Sequence, residues 1–536
     1  MRRTTGTIAA FAVGALVLTA CGNGGEGQDN GGTQADGEAM LPDMSEECTE
    51  DRVGGTITMG EYVMLPSFAP GQGHYGVRGA AQSAAVYDRL MRWDPYEEEF
   101  VPQLAESLES NDDNSVWTLG LREGVNFSNG DALTADDVAF TIGLHQDPDT
   151  QSIAMTDALN IENLEVVDPQ TVEFTLDEPW AGFPILLTGS AGEVIPQEAY
   201  EAADPEDWAR NPVGAGAFVM DEYIPDQQVV LQPNPDYWGG VVCPTLEFIQ
   251  IPGSQGTLEA FQTGELQLGY LRGSKFVTDA QDAGEPGFHE IGSSGSAIFM
   301  NNGNADYDGI LTDQRARQAV AHALDRELMD QRLTDGTGQP TSALLAESSR
   351  FYDGQEGPVY DEERASELVA ELREDHDWDG SLNLLIADGP ENVEAGVVTK
   401  ALLDAAGFDT TITNIPVSQV TARQFTGDYE MVISGLSVSD ADPASTFASV
   451  MTPGGAANLT GVDDPELTQA IADVRDAGNI DAQIEAYNRL QEVYNEVLPV
   501  TIIANAEEYV TVDESVRGVK PTMASTMLFD NAYIEE

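Results

Sequence analysis

Residues 86–142 read VYDRLMRWDPYEEEFVPQLAESLESNDDNSVWTLGLREGVNFSNGDALTADDVAFTI. The run from Gly79 to Met91 has the small and apolar residues of a helix. From Trp117 onward the pattern predicts two strands, a turn at Asn129-Gly130 and a second helix. Thr134 is placed to cap that helix, and Asp136 and Asp137 fall in its first turn, where the helix dipole favours negative charge. Upstream, VGGTITMGEYV (53–63) has the β-branched content of a strand. Downstream, LEVVDPQTVEFTL (164–176) and AFVMDEYIPDQQVVLQPN (217–234) read as hairpins. The second half is more regular. TDQRARQAVAHALDREL (312–328) is helical, with Ala316, Val320, Ala323 and Leu324 on one face. SLNLLIADG, the helix around ENVEAGVVTKALLDAAG, TTITNI and YEMVISGL then follow the β-α-β pattern of an α/β domain. PVTIIANAEEYV (499–510) is a late strand whose natural place is back in the first half, which would make one domain discontinuous.

At 536 residues the chain is long enough for two or three domains, and its 41% hydrophobic content can fill real cores. Its charge is lopsided: 23 basic residues against 93 acidic ones, a net charge of -70, with only three lysines, Lys275, Lys400 and Lys520. Such a chain repels nucleic acid and anionic lipid. Salt relieves its self-repulsion, because the Debye length falls to about 3 Å at 1 M. The composition fits a salty medium outside the cell; a lineage-wide acidic bias is the alternative.

The N-terminus carries the most informative local signal. Arg2 and Arg3 precede IAAFAVGALVLTA (8–20), an uncharged apolar run too short for a spanning helix, which needs roughly 20 residues. It reads as a secretory signal segment. It ends in Leu18-Thr19-Ala20-Cys21, a lipobox-like site at which cleavage would leave Cys21 for lipidation. Residues 22–40, GNGGEGQDNGGTQADGEAM, are too polar to bury a core and read as a flexible tether. Residues 21–47 would thus hold a folded body roughly 30 Å from a membrane. Outside the cell, the remaining pair Cys48 and Cys243 points to a disulfide, with two buried thiols as the alternative.

GQGHYG (71–76) literally matches a dinucleotide-binding G-x-G-x-x-G. That fingerprint needs its first glycine directly after a strand and an acid at a strand tip about 20 residues on. Here LPSFAP separates the strand from Gly71, and Asp88 and Asp94 are not at a strand tip. The glycines fit a surface loop.

These stretches together resemble the family 5 extracytoplasmic solute-binding proteins, the dipeptide- and oligopeptide-binding components of ABC importers. The matching pieces are Tyr87-Asp88-Arg89-Leu90, Pro102-x-Leu104-Ala105, Leu121-Arg122-Glu123-Gly124-Val125-x-Phe127, Gly130 and Thr134-Ala135-Asp136-Asp137-Val138. NPVGAGAFVM, NPDYWGG, RARQAVAHALDREL, TKALLDAAGF and LPVTIIANAEEYV follow in order, so the likeness runs from about residue 53 to the C-terminus. It implies an α/β, two-lobed clamshell of the periplasmic-binding-protein type (type II, cluster C) with an extra subdomain inserted in lobe I. Lobe I would comprise 48–85, 210–297 and 503–536; the insert 86–209; and lobe II 298–502, with hinge crossings near Ser296 and Ile502. The implied function is capture of a peptide between the lobes and delivery to a membrane permease and its ATPase. The protein would act as a monomer at the outer face of the cytoplasmic membrane, without a cofactor or metal.

In peptide-binding relatives a lobe II loop carries an aspartate that pairs with the peptide's α-ammonium. Here that loop reads GLSVSDADPASTF (435–447). The anchoring position falls on Ser439, Asp440 is one place later, and Leu436 stands where the family has tryptophan. Asp440 and Asp442 are therefore the acidic candidates. Loop capping is the bland role for both. Tyr62, Met64 and Leu65 are the lobe I candidates, with core packing as the alternative for Met64 and Leu65. An oligosaccharide stacked on tryptophan or a nickel complex are alternative solutes, and a surface sensor an alternative role. An enzyme is disfavoured. The five histidines are scattered without HExxH, GSSGS (292–296) lacks the last glycine of G-x-S-x-G, and acidic pairs arise by chance among 93 acids.

Overall fold

The computed structural model describes residues 47–71, 79–436 and 438–535. The signal segment, Cys21, most of the tether, and Gly73 and Gly76 lie outside the described residues.

A single ten-stranded sheet runs through the body. Its strands are ordered Asp409–Ile415, Ser381–Ala387, Met431–Gly435, Gly287–Met300, Val500–Val512, Leu268–Arg272, Thr56–Glu61, Thr245–Gln250, Gln228–Pro233 and Phe218–Ile224. The two long central strands join its halves. Near one end, Val500–Val512 pairs with Leu268–Arg272; near the other, Gly287–Met300 pairs with Met431–Gly435. Their mutual ladder breaks between Gly292 and Ser296. GSSGS is thus where the ladder between the two long central strands is interrupted. A Cβ on Gly295 would lie 2.1 Å from the Ala506 nitrogen, so only glycine allows this close approach.

Three large hydrophobic cores follow this division. One surrounds Ile57, Phe248, Leu268 and Val510 in the first lobe. A second surrounds Ile298, Leu384, Val432, Phe447 and Leu490 in the second. A third lies under a separate four-stranded sheet, ordered Ala105–Ser110, Val116–Leu121, Thr171–Leu176 and Ile161–Asp168, and includes Phe174, Trp180 and Phe183. Both expected hairpins form, 161–176 and 218–233.

Three local expectations are corrected. The first helix is Ala80–Tyr87, and Met91 begins the strand Met91–Asp94. Asp88 breaks the helix at φ 59°, with its carboxylate accepting from Trp238 Nε1 (3.0 Å), the Tyr237 hydroxyl (3.2 Å) and Arg89 N (2.8 Å). Only one strand, Val116–Leu121, precedes the Asn129-Gly130 turn; the second reduces to a bridge between Asn126 and Ala132. The 312–328 stretch divides into Gln314–Ala323 and Arg326–Leu333, with Asp325 capping the second helix. The Thr134 prediction holds: its N–H and Oγ1 both donate to Asp137 Oδ2, at 3.0 and 2.8 Å.

The recurring sequence blocks meet in space. Gly214 and Gly216 lie against the backbone of residues 85–87, where Gly216 N donates to Val86 O at 2.9 Å. Trp238 closes over Asp88. Cys48 and Cys243 are bridged, with Cα atoms 5.9 Å apart.

Candidate functional site

The loop after Met431–Gly435 is tied to the strand crossing. Leu436 N donates to Gly295 O at 2.9 Å and Val438 N to Ser293 O at 3.1 Å. Ser293 and Ser294 are in turn held by the 339–346 segment: Ala346 N donates to Ser293 Oγ (2.9 Å) and Ser294 Oγ to Leu344 O (2.6 Å).

Within this loop Leu436 is buried at 4% exposure in the second-lobe core. Ser439 is half-buried and accepts from Ala441 N at 3.3 Å. Asp440 accepts from Arg350 N at 3.3 Å, and its Oδ1 makes no hydrogen bond of ordinary geometry, although the Ser349 hydroxyl adjoins the carboxyl. Burial raises the Asp440 carboxyl above the usual range, while the Ser349 and Arg350 groups beside it act in the opposite direction.

Arg350, which no sequence pattern singled out, spans the lobes. Its Nη2 donates to Ala441 O (2.8 Å) and its Nη1 to Glu98 O (3.1 Å), and its guanidinium lies 4.7 Å from the Trp93 ring centroid. Ala441 packs into the core of the inserted four-stranded region.

Asp442 is a helix cap, and more. Its Oδ1 accepts from Ala444 N (3.2 Å) at the start of the helix Pro443–Met451. Its Oδ2 accepts from Trp180 Nε1 at 2.8 Å. Burial pushes its carboxyl up to about 6 against the opposing pull of Arg475. Arg475 lies 4.2 Å from the Trp180 ring centroid and pairs with Asp157 at 2.7 Å, both side chains nearly buried. Ser445 Oγ donates to the same Asp157 carboxylate. The second lobe is thereby fastened to the inserted region.

Met64 and Leu65 are each 1% exposed inside the first-lobe core and do not line the interlobe cavity, with Leu65 N donating to Gln82 Oε1 at 3.3 Å. Tyr62 is 40% exposed, and the Arg272 guanidinium lies 5.6 Å from its ring centroid. Tyr62 and Arg272 line a cavity of about 640 Å³ with Ser296, Thr334, Asn392 and Glu508, so both lobes form its wall. Beside it stand Glu61, Tyr270, Glu290 and Glu508 on four different strands. Burial raises Glu61 to about 8 and Glu290 to about 7, and it also raises Glu508. Among the described residues no group of three or more His, Cys, Asp or Glu is arranged to hold a metal ion, and no helix is long and apolar enough to cross a membrane.

A two-lobed sheet crossed by paired strands, with an interlobe cavity at the crossing, defines a ligand-enclosing binding protein. Residues 99–458 match the family of bacterial extracellular solute-binding proteins, family 5 (middle), and the chain belongs to that family. Its members bind solutes for transport and are not enzymes. The chain is 24% identical over 503 residues to the "Probable ABC transporter periplasmic-binding protein SapA" of Escherichia coli (strain K12), covering 88% of this chain and 90% of that one. It is 24% identical over 492 residues to the "Dipeptide-binding protein" of Pseudomonas aeruginosa (84% and 90% covered). The solved structure of the ABC transporter-associated periplasmic binding protein DppA from Helicobacter pylori, in complex with peptide STSA, superposes with a TM-score of 0.77 at 21% identity, covering 91% of this chain and 99% of that one.

Proposed function

We propose that this chain is the solute-binding lipoprotein of an ABC importer, which encloses a di- or oligopeptide between its lobes and delivers it to the permease and ATPase subunits. It acts as a monomer tethered through lipidated Cys21 at the outer face of the cytoplasmic membrane. Lobe I comprises 48–85, 210–297 and 503–536, the insert 86–209 and lobe II 298–502, with the hinge at the broken ladder around Ser296 and Ile502. The observation that carries the ligand class is Asp440. It is a carboxylate largely withdrawn from water and only partly met by the Ser349 and Arg350 groups, with one oxygen that makes no hydrogen bond of ordinary geometry, and an incoming ammonium would complete it. The relatives' names support the same class. A sugar ligand has less support, because none of the six tryptophans lines the interlobe cavity: Trp93, Trp117, Trp180 and Trp208 are buried, and Trp238 and Trp378 are half-buried elsewhere.

On this reading Asp440 holds the α-ammonium. Ser439, Leu436 and Asp442 shape the loop around it, Tyr62 covers the ligand from lobe I, and Met64 and Leu65 back that wall from the core. Closure excludes water and strengthens each polar contact. Asp440→Asn is expected to weaken a free tripeptide about tenfold or more while barely affecting its N-acetylated form. Calorimetry of both peptides against both proteins decides it, and equal weakening, or none, removes Asp440 from this role.

A further inference from the structure

The turn joining the strands Met91–Asp94 and Glu99–Pro102 reaches the Asp440 loop through the side chain of Arg350. Among the described residues these two strands pair only with each other. Their base is fixed. Leu104 N donates to Arg89 O (2.9 Å), Gln103 N to Leu90 O (3.0 Å) and Thr522 Oγ1 to Trp93 O (2.7 Å), and Trp93 is buried in the core of the inserted region. The tip is different: Tyr96, Glu97, Glu98 and Glu99 are all exposed. Asp94 folds it by accepting from Tyr96 N (3.1 Å) and Glu97 N (3.3 Å), and the Tyr96 ring stands edge-on to Phe288 with centroids 6.1 Å apart. Glu98 then turns to φ 53°, and its carbonyl accepts from Arg350 Nη1 at 3.1 Å.

Arg350 is shaped for this hold. Its other terminal nitrogen, Nη2, donates to Ala441 O (2.8 Å), and its main-chain N–H donates to Asp440 Oδ2 (3.3 Å). The guanidinium lies 4.7 Å from the Trp93 ring centroid and 4.6 Å from that of Phe351. A planar fork can bond carbonyls of two distant segments at once while resting on aromatic rings; the compact ammonium of a lysine cannot match that geometry. The Arg350 Nε makes no hydrogen bond, so the side chain is held by two carbonyls and two rings.

We propose that residues 94–99 form a flap over the Asp440 loop, that Arg350 is its latch, and that release of the latch sets how fast a bound peptide leaves. The proposal rests on the reading of Asp440 as the ligand's anchor; the latch itself needs no ligand. An exposed turn with few contacts opens locally far more often than the sheet beside it. Trp93, fixed at the base, keeps the guanidinium beneath the turn, so opening breaks the bond to Glu98 O and the contact between Tyr96 and Phe288. The same residue bonds Ala441 O and Asp440, so flap and ligand loop share one post. Arg350 is therefore a positioning residue, which acts on the loop that holds the ligand.

Hydrogen exchange on the ligand-free chain tests the latch. Arg350→Lys keeps the charge beside Asp440 but lacks the fork, and Arg350→Gln removes the charge as well. Exchange over 94–101 is expected to quicken about threefold or more in Arg350→Lys and about tenfold in Arg350→Gln, with 105–121 and 161–176 unchanged. Stopped-flow release of Ala-Ala-Ala tests the exit: its off-rate is expected to rise about threefold or more in Arg350→Lys, with the on-rate little changed. Should Arg350→Gln not fold, Arg350→Lys decides alone. Unchanged exchange over 94–101 overturns the latch. So does quickening that extends through 105–121 and 161–176, which marks a general structural role. Faster exchange with an unchanged off-rate overturns the control of exit. If Ala-Ala-Ala does not bind the unmodified chain, the peptide reading fails, while the exchange result still upholds or overturns the latch.

Discussion

Asp88 shows how much one side chain does in this fold. Its left-handed backbone ends the first helix, and its carboxylate collects the indole of Trp238 and the phenol of Tyr237 from a block 150 residues away in sequence. Burial, with Asp530 nearby adding repulsion, raises it to about 7 despite those hydrogen bonds. An unfolded aspartate titrates near 3.9. Between about pH 4 and pH 7 the folded state therefore binds the extra proton, and the slope of stability with pH is negative. The stabilisation is complete below about pH 4 and is lost as pH rises through about 7. Asp442, raised to about 6, and Glu290, raised to about 7, act in the same direction. Stability in urea is accordingly expected to fall from about pH 5 to pH 7 in buffer of constant ionic strength. Asp88→Asn keeps an acceptor and tolerates the same φ, and is expected to reduce that slope by up to about 1.4 kcal/mol per pH unit. An unchanged slope would mean that Asp88 is ionised throughout.

At the level of elements, the helices Pro443–Met451 and Pro465–Asp476 are fastened to the segment holding Asp157 and Trp180. Arg475 grips Asp157 and Trp180, and Asp442 takes the Trp180 indole N–H. None of these contacts involves a ligand, so on the closure mechanism proposed above they are expected to bias the empty protein towards the closed form. Arg475→Met removes a nearly buried partner of Asp157 and should shift the ligand-free population towards an open form, seen as a larger radius of gyration by small-angle scattering. Peptide affinity should drop about tenfold or more, since binding must then supply the closure energy. An unchanged radius and affinity would show that the contact is energetically idle.

Strands and helices with a clean period were legible in the sequence, as was the return of the last strand, because local pattern and family blocks agree there. The end of the first helix and the missing second strand at 125–133 were not, since distant partners of Asp88 and a bridge at Asn126 decide them. The site divides the same way. The 435–447 loop is one contiguous stretch that the family resemblance singles out, and its ligand role stands as the proposal above. Arg350 lies 90 residues from its partner Asp440, and Glu290 and Glu508 become neighbours only through the pairing of their strands. No spacing marks those two among 93 acids.

For the molecule as a whole, a net charge of -70 acts against a covalent tie that holds the first lobe together. Repulsion between exposed carboxylates favours expansion, and raising salt from about 0.05 M to about 1 M shortens the Debye length from well over 10 Å to about 3 Å. The unfolding temperature should rise steeply over that range. The bridge Cys48–Cys243 opposes expansion by another route. It joins the segment before Thr56–Glu61 to the one before Thr245–Gln250, two strands that pair in parallel from Thr56 and Thr245 onward. Its sulfurs pack in a small buried cluster with Tyr533 near the C-terminus. The bridge closes a loop of 195 residues and so restricts the unfolded chain, by about 5 kcal/mol in the entropic picture. That loop contains the whole inserted region. The double variant Cys48→Ser, Cys243→Ser is therefore expected to lower the unfolding temperature of the first lobe by roughly 10 °C at low salt. Ligand affinity at about 25 °C should stay unchanged, because the bridge touches none of the cleft residues. The loss should shrink at about 1 M salt if charge repulsion expands the unfolded ensemble whose freedom the bridge removes. An equal loss at both salt concentrations would show that the two effects are independent, and no loss at either would show that the bridge does not restrain the unfolded chain.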